Sequence, residues 1–209
     1  MKNCLLILLL LCSFFGFSQQ IPEFERILNV ENLPFSDREI RVYKNHSITT
    51  GLELFRIYYD EDKKDWQAEF YYTVAEKIKD DSYEIVIRNF ELKSFYNTEY
   101  LALQLLTSDI KYLPNDDAIR YKMKSKPKIT LDIGGYFSYS KTYGMSGVDG
   151  VGYYVQVKDQ KEFNEIEYSN PERYLEEYPT IDELISFNEF LDIIKKNFNI
   201  FEDYKKRNP

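Results

Sequence analysis

The strongest constraint on the fold is an alternation of apolar and polar residues that recurs between residues 39 and 92. Segment 66–74 carries an apolar side chain at every second position, and segment 52–59 carries apolar side chains on both faces. Every second side chain of an extended chain points to the same face, so this pattern predicts half-buried β-strands. The charged hexapeptide 60–65 between them suits a hairpin tip. We therefore expect residues 39–92 to form a four-stranded antiparallel meander.

The pattern predicts further strands in the second half of the chain. Residues 118–123 and 129–133 alternate in the same way, and residues 151–157 pair with 163–168 across a polar tetrapeptide as a second hairpin.

Helical spacing is confined to three segments. A dense apolar run over residues 97–111 predicts a buried helix with Asn97 as its cap. Asn170 and Pro171 favour the start of a short helix. Thr180 and Glu183 match a capping box, which opens an amphipathic helix over residues 180–199.

These elements together predict an α+β fold, with a mainly antiparallel sheet of about eight strands, a buried central helix and a C-terminal amphipathic helix. The aromatic content supports it, because 19 Tyr and 15 Phe favour strands over a helical bundle. The expected core residues are Leu54, Trp66, Phe70, Ile85, Ile87, Leu101, Leu105, Val155, Leu184 and Leu191.

The first 18 residues have the pattern of a secretory signal peptide: a short basic start, an apolar run and small residues before a cut near Ser18. The run is too short for a spanning helix, so we expect no transmembrane helix in the mature protein. The end of this leader resembles secretory leaders of one lineage of Gram-negative bacteria, which implies a periplasmic or secreted protein. Residues 19–37 read as an extended lead-in, 38–201 as a single domain and 202–209 as a frayed tail.

Composition excludes several classes of function. Both cysteines, Cys4 and Cys12, lie in the leader, so the mature chain has neither a disulfide nor a thiol nucleophile. With 27 basic and 35 acidic residues, the chain is poorly suited to nucleic acid. The single histidine, His46, falls in a predicted loop, and no cofactor or metal motif is complete.

Two motifs bear on catalysis. Ser138 and Lys141 match the Ser-x-x-Lys pattern, but its companion motifs are absent. Asp132 is the least ordinary acid because it stands near a strand end before two glycines, with Glu165 and Glu167 as weaker candidates. A glycan hydrolase would need two such carboxylates facing each other. These residues equally suit a solvated strand face.

A segment rich in glycine and tyrosine is the first candidate binding site. Six of the eight glycines lie within residues 134–152, interleaved with aromatic residues. Tyrosine offers flat contact area with a hydrogen-bonding tip, so we assign ligand binding to Tyr136, Tyr139, Tyr143 and Tyr153. The alternative is a long hairpin connection whose aromatic rings fold back on the sheet.

A row of cations is the second candidate site. The cations recur at every second position, which places them on one face of an extended chain: Arg120, Lys122, Lys124, Lys126 and Lys128. Such a stripe would bind a polyanion. It would equally guard an exposed edge strand against aggregation.

The function that these observations favour is a non-catalytic binding or accessory module of the cell envelope. Its expected partner is a glycan or an envelope protein. The alternatives are a carboxylate-dependent glycan hydrolase and a secreted effector or adhesion factor.

Overall fold

The structure is a computed structural model that describes residues 20–46, 51–79, 82–124, 126–140 and 150–201. Of these, residues 20–33 belong to one compact unit and residues 34–201 to another. The leader, the tail at residues 202–209 and part of the glycine-tyrosine segment lie outside the described residues.

The first unit contains helix α1, Gln20–Ile27. The prediction of an extended lead-in over residues 19–37 is therefore wrong for this stretch. Pro22 lies in the first helical turn, where its missing N–H removes no hydrogen bond. Glu23 in the first turn and Arg26 in the last turn both favour the helix dipole.

The second unit is built on a six-stranded antiparallel sheet. Its strands are β1 Arg38–His46, β2 Leu52–Asp60, β3 Asp65–Lys79, β4 Ser82–Glu91, β7 Val151–Asp159 and β8 Glu162–Ser169. The first four form the predicted meander, in the order β4-β3-β2-β1, and the second hairpin continues the sheet beside β1 as β7-β8. The α+β class is confirmed, but the strands do not form one sheet of eight.

Two further strands of the described ranges, β5 Lys128–Leu131 and β6 Phe137–Ser140, pair with each other there in a separate two-stranded sheet. They follow α2 (Thr98–Leu106), a 3-10 turn at Asp109–Lys111, α3 (Asp116–Ile119) and a 3-10 turn at Arg120–Met123. The expected strand at residues 118–123 is therefore wrong. Two aspartates in the first turn of α3 favour a helix N-terminus there.

Helices α4 (Pro171–Glu177) and α5 (Asp182–Phe198) complete the unit. Asn97 caps α2 as predicted, because its side chain accepts a hydrogen bond from the Tyr100 N–H. The capping box at Thr180 does not form, because Ile181 occupies the cap position of α5 and gives no side-chain hydrogen bond.

The core lies between one face of the six-stranded sheet and helices α2 and α5. Most of the expected core residues are buried there: Trp66, Phe70, Leu101, Leu105, Val155, Leu184 and Leu191. Leu54 is buried as expected, but it lies outside this cluster, to which its neighbour Phe55 belongs. Ile85 and Ile87 of β4 are 44% and 38% exposed, so their assignment to the core is wrong.

Side chains at the start of α3 bind the outer edge of β8. The Asn115 side chain accepts a hydrogen bond from the Glu167 N–H at 2.7 Å, and Asp116 accepts one from the Ser169 N–H at 3.0 Å. Two backbone donors of this edge strand are therefore already bound within the chain.

Candidate binding surface

In the hairpin formed by β5 and β6, the chain reverses direction over the three residues between Asp132 and Tyr136. Asp132 and Tyr136 close the turn, with the Asp132 N–H donating to the Tyr136 carbonyl and the Tyr136 N–H donating to Asp132 Oδ1. Gly135 adopts a φ of +80°, a conformation that favours glycine, and its N–H donates to the Asp132 carbonyl. The predicted candidate acid Asp132 therefore orders this turn.

One face of this hairpin is apolar and exposed. The strand register places Ile129 opposite Tyr139 and Leu131 opposite Phe137, so these four side chains share a face. Their exposed fractions are 73%, 73%, 60% and 79%, respectively. We call this set the hairpin face. Fully burying such a side chain contributes about 1.5–3 kcal/mol, so covering the hairpin face would stabilise a complex substantially.

The opposite face of the same hairpin is polar. It carries Lys128, Thr130, Ser138 and Ser140, and the Thr130 and Ser138 hydroxyls lie 3.1 Å apart. The hairpin is thus amphipathic, with polar and apolar faces set by the alternation in its sequence.

The structure separates the tyrosines that the sequence grouped as one site. Tyr136 and Tyr139 are 75% and 73% exposed on the hairpin. Tyr143 lies outside the described residues. Tyr153 is only 1% exposed in β7, donates from its hydroxyl to Glu172 and packs edge-to-face on Phe187. Its assignment to a ligand surface is wrong, because it belongs to the core.

The cation row does not form a single extended stripe. Arg120 and Lys122 lie in the 3-10 turn, whereas Lys128 begins β5. Arg120 pairs with Asp117 at 2.9 Å and Lys122 with Glu183 at 2.7 Å. The Lys122 ammonium lowers the pKa of the Glu183 carboxyl by its hydrogen bond.

Lys124 and Lys126 complete the predicted row. Both lie in the connection between the 3-10 turn and β5, and Lys126 is exposed. The regular spacing of the cations therefore does not place all five on one face.

A group of acids sits beside β8 that the sequence did not bring together. Asp116 is 4% exposed, and burial raises its pKa. Burial also raises the pKa of Glu167, with the charges of Asp116 and Asp117 adding to the effect. The Tyr154 hydroxyl donates to Glu167 and Asp116 accepts from the β8 backbone, which gives both carboxylates a structural role.

The predicted candidate acid Glu165 and the single histidine both lie in strands of the large sheet. Glu165 accepts a hydrogen bond from Gln156 at 3.0 Å. His46 ends β1. A cleft between the start of β3 and residues 91–99 is lined by Asp65, Glu91 and Glu99, all of them exposed. A general acid normally needs burial to hold its proton at neutral pH.

A buried network of charges lies on the sheet face opposite α5. Glu39 is fully buried and accepts bonds at 2.6 Å from the Nε atoms of both Arg41 and Arg56. Its second oxygen accepts the Ser36 N–H at 2.6 Å, and Arg56 also reaches Glu69 at 3.2 Å. These hydrogen bonds therefore hold the segment before β1, at Ser36, against the sheet.

The remaining polar groups of this network, on Glu69 and on the two arginines, form hydrogen bonds with tyrosine hydroxyls and with a backbone carbonyl. The Tyr58 and Tyr71 hydroxyls donate to Glu69 at 3.0 and 2.9 Å, and burial raises the pKa of each tyrosine to about 12. Both arginines donate to the Pro34 carbonyl, at 3.2 and 3.3 Å. A weak signal for this charge network is present in the sequence, in the charges that interrupt the apolar alternation of β1 and β2.

Comparison with protein-family models, with curated proteins and with solved structures found no match. Within the described ranges, no group of three or more His, Cys, Asp and Glu side chains is arranged to hold a metal ion. No helix in the same ranges is long and apolar enough to cross a membrane.

Proposed function

We propose that this protein is a non-catalytic binding module of the cell envelope that contacts its partner through the hairpin face. The observation that carries the proposal is the exposure of four large apolar side chains on one side of a two-stranded hairpin. The leader pattern supports an envelope location, periplasmic or secreted.

The energetics of the hairpin favour a partner. An isolated two-stranded hairpin is only marginally stable in water, and within the part of the chain that the structure describes this one pairs with no strand of the large sheet. A partner that covers Ile129, Leu131, Phe137 and Tyr139 would remove apolar area from water and hold the hairpin in place.

The chemistry of the face favours a protein partner over a glycan. Aromatic rings stack on sugars, but the branched side chains of Ile129 and Leu131 offer a sugar neither a flat ring nor a hydrogen bond. A mixed aliphatic and aromatic face fits an apolar protein surface.

Photo-crosslinking in the producing cells tests this proposal. We would replace Phe137 with p-benzoylphenylalanine and compare it with the same replacement of Ser138, which lies on the polar face of the same strand. We expect a defined protein adduct from position 137 and little from position 138. Equal crosslinking at both positions, or none at either, would contradict the proposal.

Purified components then test the energetic argument. The double substitution Phe137→Ser and Tyr139→Ser should weaken binding to the crosslinked protein at least tenfold while leaving the melting temperature unchanged, because both side chains are exposed. Binding to a glycan array that depends on Tyr139, without a protein adduct, would favour the glycan-binding alternative.

A further inference from the structure

Strand β4 forms one edge of the six-stranded sheet and is exposed along its whole length. Nine of its ten residues are exposed and Val86 is partly exposed. Its apolar side chains are not covered: Tyr83 is 63% exposed, Ile85 44% and Ile87 38%.

Among the described residues, no strand other than β3 pairs with β4, so its backbone presents unpaired groups along this edge. The Leu92 N–H donates to the Ala68 carbonyl at 2.8 Å, just beyond the end of the strand. Antiparallel ladders alternate, so the even-numbered residues of β4 bond to β3. The odd-numbered residues Tyr83, Ile85, Ile87 and Asn89 therefore direct their N–H and C=O groups outward.

The strand lacks the usual protection of an exposed edge. Lysine and proline, which discourage pairing with another chain, do not occur in its sequence. Its interior charges are one acid and one base, Glu84 and Arg88. Such an edge is suited to accept a further strand.

The sequence of β4 is complementary to itself in one antiparallel register. With Val86 on a two-fold axis, Glu84 lies opposite Arg88 of a second copy, and Ile85 lies opposite the second copy's Ile87. This register pairs opposite charges on one face and apolar side chains on the other. A register centred on Ile87 would instead place Glu84 opposite Phe90 and Val86 opposite Arg88, which pairs charges with apolar side chains.

The hydrogen-bonding pattern agrees with the same register. The pairs Ile85 with Ile87 and Tyr83 with Asn89 join residues whose backbone groups all point outward, which gives about eight hydrogen bonds between the two strands. The Glu84 and Arg88 pair then falls in the closer, non-hydrogen-bonded position, where side chains interact best.

We propose that the protein forms a symmetric dimer through β4, with two antiparallel strands continuing the sheet from one copy into the next. Arg88 already donates to Glu76 of its own chain, and its guanidinium has donors left for a second carboxylate. This interface is separate from the hairpin face and does not rest on it.

Charge reversal tests the register. Glu84→Arg would set like charges opposite Arg88 of the second copy at two symmetric positions, so we expect the dimer to weaken by roughly tenfold. The fold of the monomer should not suffer, because Glu84 lies opposite Glu76 within the hairpin and the new arginine relieves that repulsion. The double substitution Glu84→Arg and Arg88→Glu restores opposite charges and should restore the dimer.

Sedimentation equilibrium over a concentration series measures these effects, with Glu61→Arg at the exposed tip before β3 as the matched control. We expect the control to dimerise as the unmodified protein does. A wild-type chain that stays monomeric up to millimolar concentration would overturn the proposal, as would unchanged dimerisation of the Glu84→Arg variant.

A disulfide provides an independent test of the axis. In a background with Cys4→Ser and Cys12→Ser, Val86→Cys would bring two thiols face to face across the axis, at a Cβ separation near that of a disulfide. Tyr83→Cys would set them about 20 Å apart. We expect rapid oxidation to a covalent dimer for position 86 only; equal rates at both positions would refute the register.

Discussion

Replacing Glu39 with glutamine tests whether the buried charge network holds the second unit together. The side chain is fully buried and accepts hydrogen bonds from Arg41, Arg56 and the Ser36 N–H. Glutamine keeps the shape but removes the negative charge between two guanidinium groups that are themselves 2% and 5% exposed. Removing one partner of a buried ion pair costs about 3–5 kcal/mol, because it leaves an uncompensated charge out of water.

Urea denaturation followed by Trp66 fluorescence measures the loss. Trp66 is the only tryptophan of the chain and is 3% exposed, so its emission reports on the core. We expect Glu39→Gln to lower the free energy of unfolding by about 3–5 kcal/mol. For a chain of this size the melting temperature should fall by roughly 6–20 °C.

The matched control is Glu61→Gln, which removes the same charge from a side chain that is 69% exposed and pairs only with Lys64 at the surface. It should change the unfolding free energy by less than about 0.5 kcal/mol. If Glu39→Gln cost no more than this control, the arginines would not depend on the carboxylate, and the assignment of a stabilising network would be refuted.

Three further predictions follow from other parts of the second unit. Burial raises the pKa of Glu167 in the fold, so its contribution to stability is full below its ordinary pKa and is lost as the pH rises through the raised value. Glu167→Gln should therefore be more stable than wild type at pH 8, and urea unfolding should show this difference shrinking toward pH 4. Gly150→Ala should destabilise the fold by about 1–3 kcal/mol, measured by thermal unfolding, because its Cβ would lie 1.9 Å from the Asn170 Oδ1 atom. Tyr153→Ala should cost about 3–5 kcal/mol in the same assay, whereas Tyr139→Ala should cost almost nothing, since only the first ring is buried.

Alternation in the sequence predicted the meander and the second hairpin because the alternating pattern depends only on the residues of each strand. The meander and the second hairpin both form, and Ile129 and Leu131 share a face as their spacing requires. Alternation shows which side chains share a face, but not how far the helices extend over that face. Ile85 and Ile87 therefore look like core residues in the sequence and are exposed on β4.

The prediction that the five cations lie on one face of an extended chain was wrong for a different reason. Charged side chains at every second residue are compatible with a helical turn as well as with a strand. Their spacing is therefore weak evidence for either conformation. Asp116 and Asp117 in the first turn favour a helix start, and this local preference sets residues 116–123 in helical turns.

The sequence indicates the charge network only weakly, because its contacts join residues far apart along the chain. Glu39 and Arg56 are separated by 17 positions. They meet only through the register of β1 with β2, which places Arg41 directly opposite Arg56. The hairpin face was partly predicted: Tyr139 was named as a binding residue, whereas the contribution of Phe137 depends on the pairing of β5 with β6.

The two edges of the six-stranded sheet differ in a way that limits growth. The β8 edge has N–H groups occupied by Asn115 and Asp116, whereas β4 carries outward backbone groups with no such cover among the described residues. A head-to-tail fibre needs two open edges on every subunit, so that each addition exposes a new end. A subunit with a single open edge has no open edge left once it has paired with a second copy. Pairing through the six-stranded sheet would therefore stop at two copies, and the same edge that permits association would not propagate it into an aggregate.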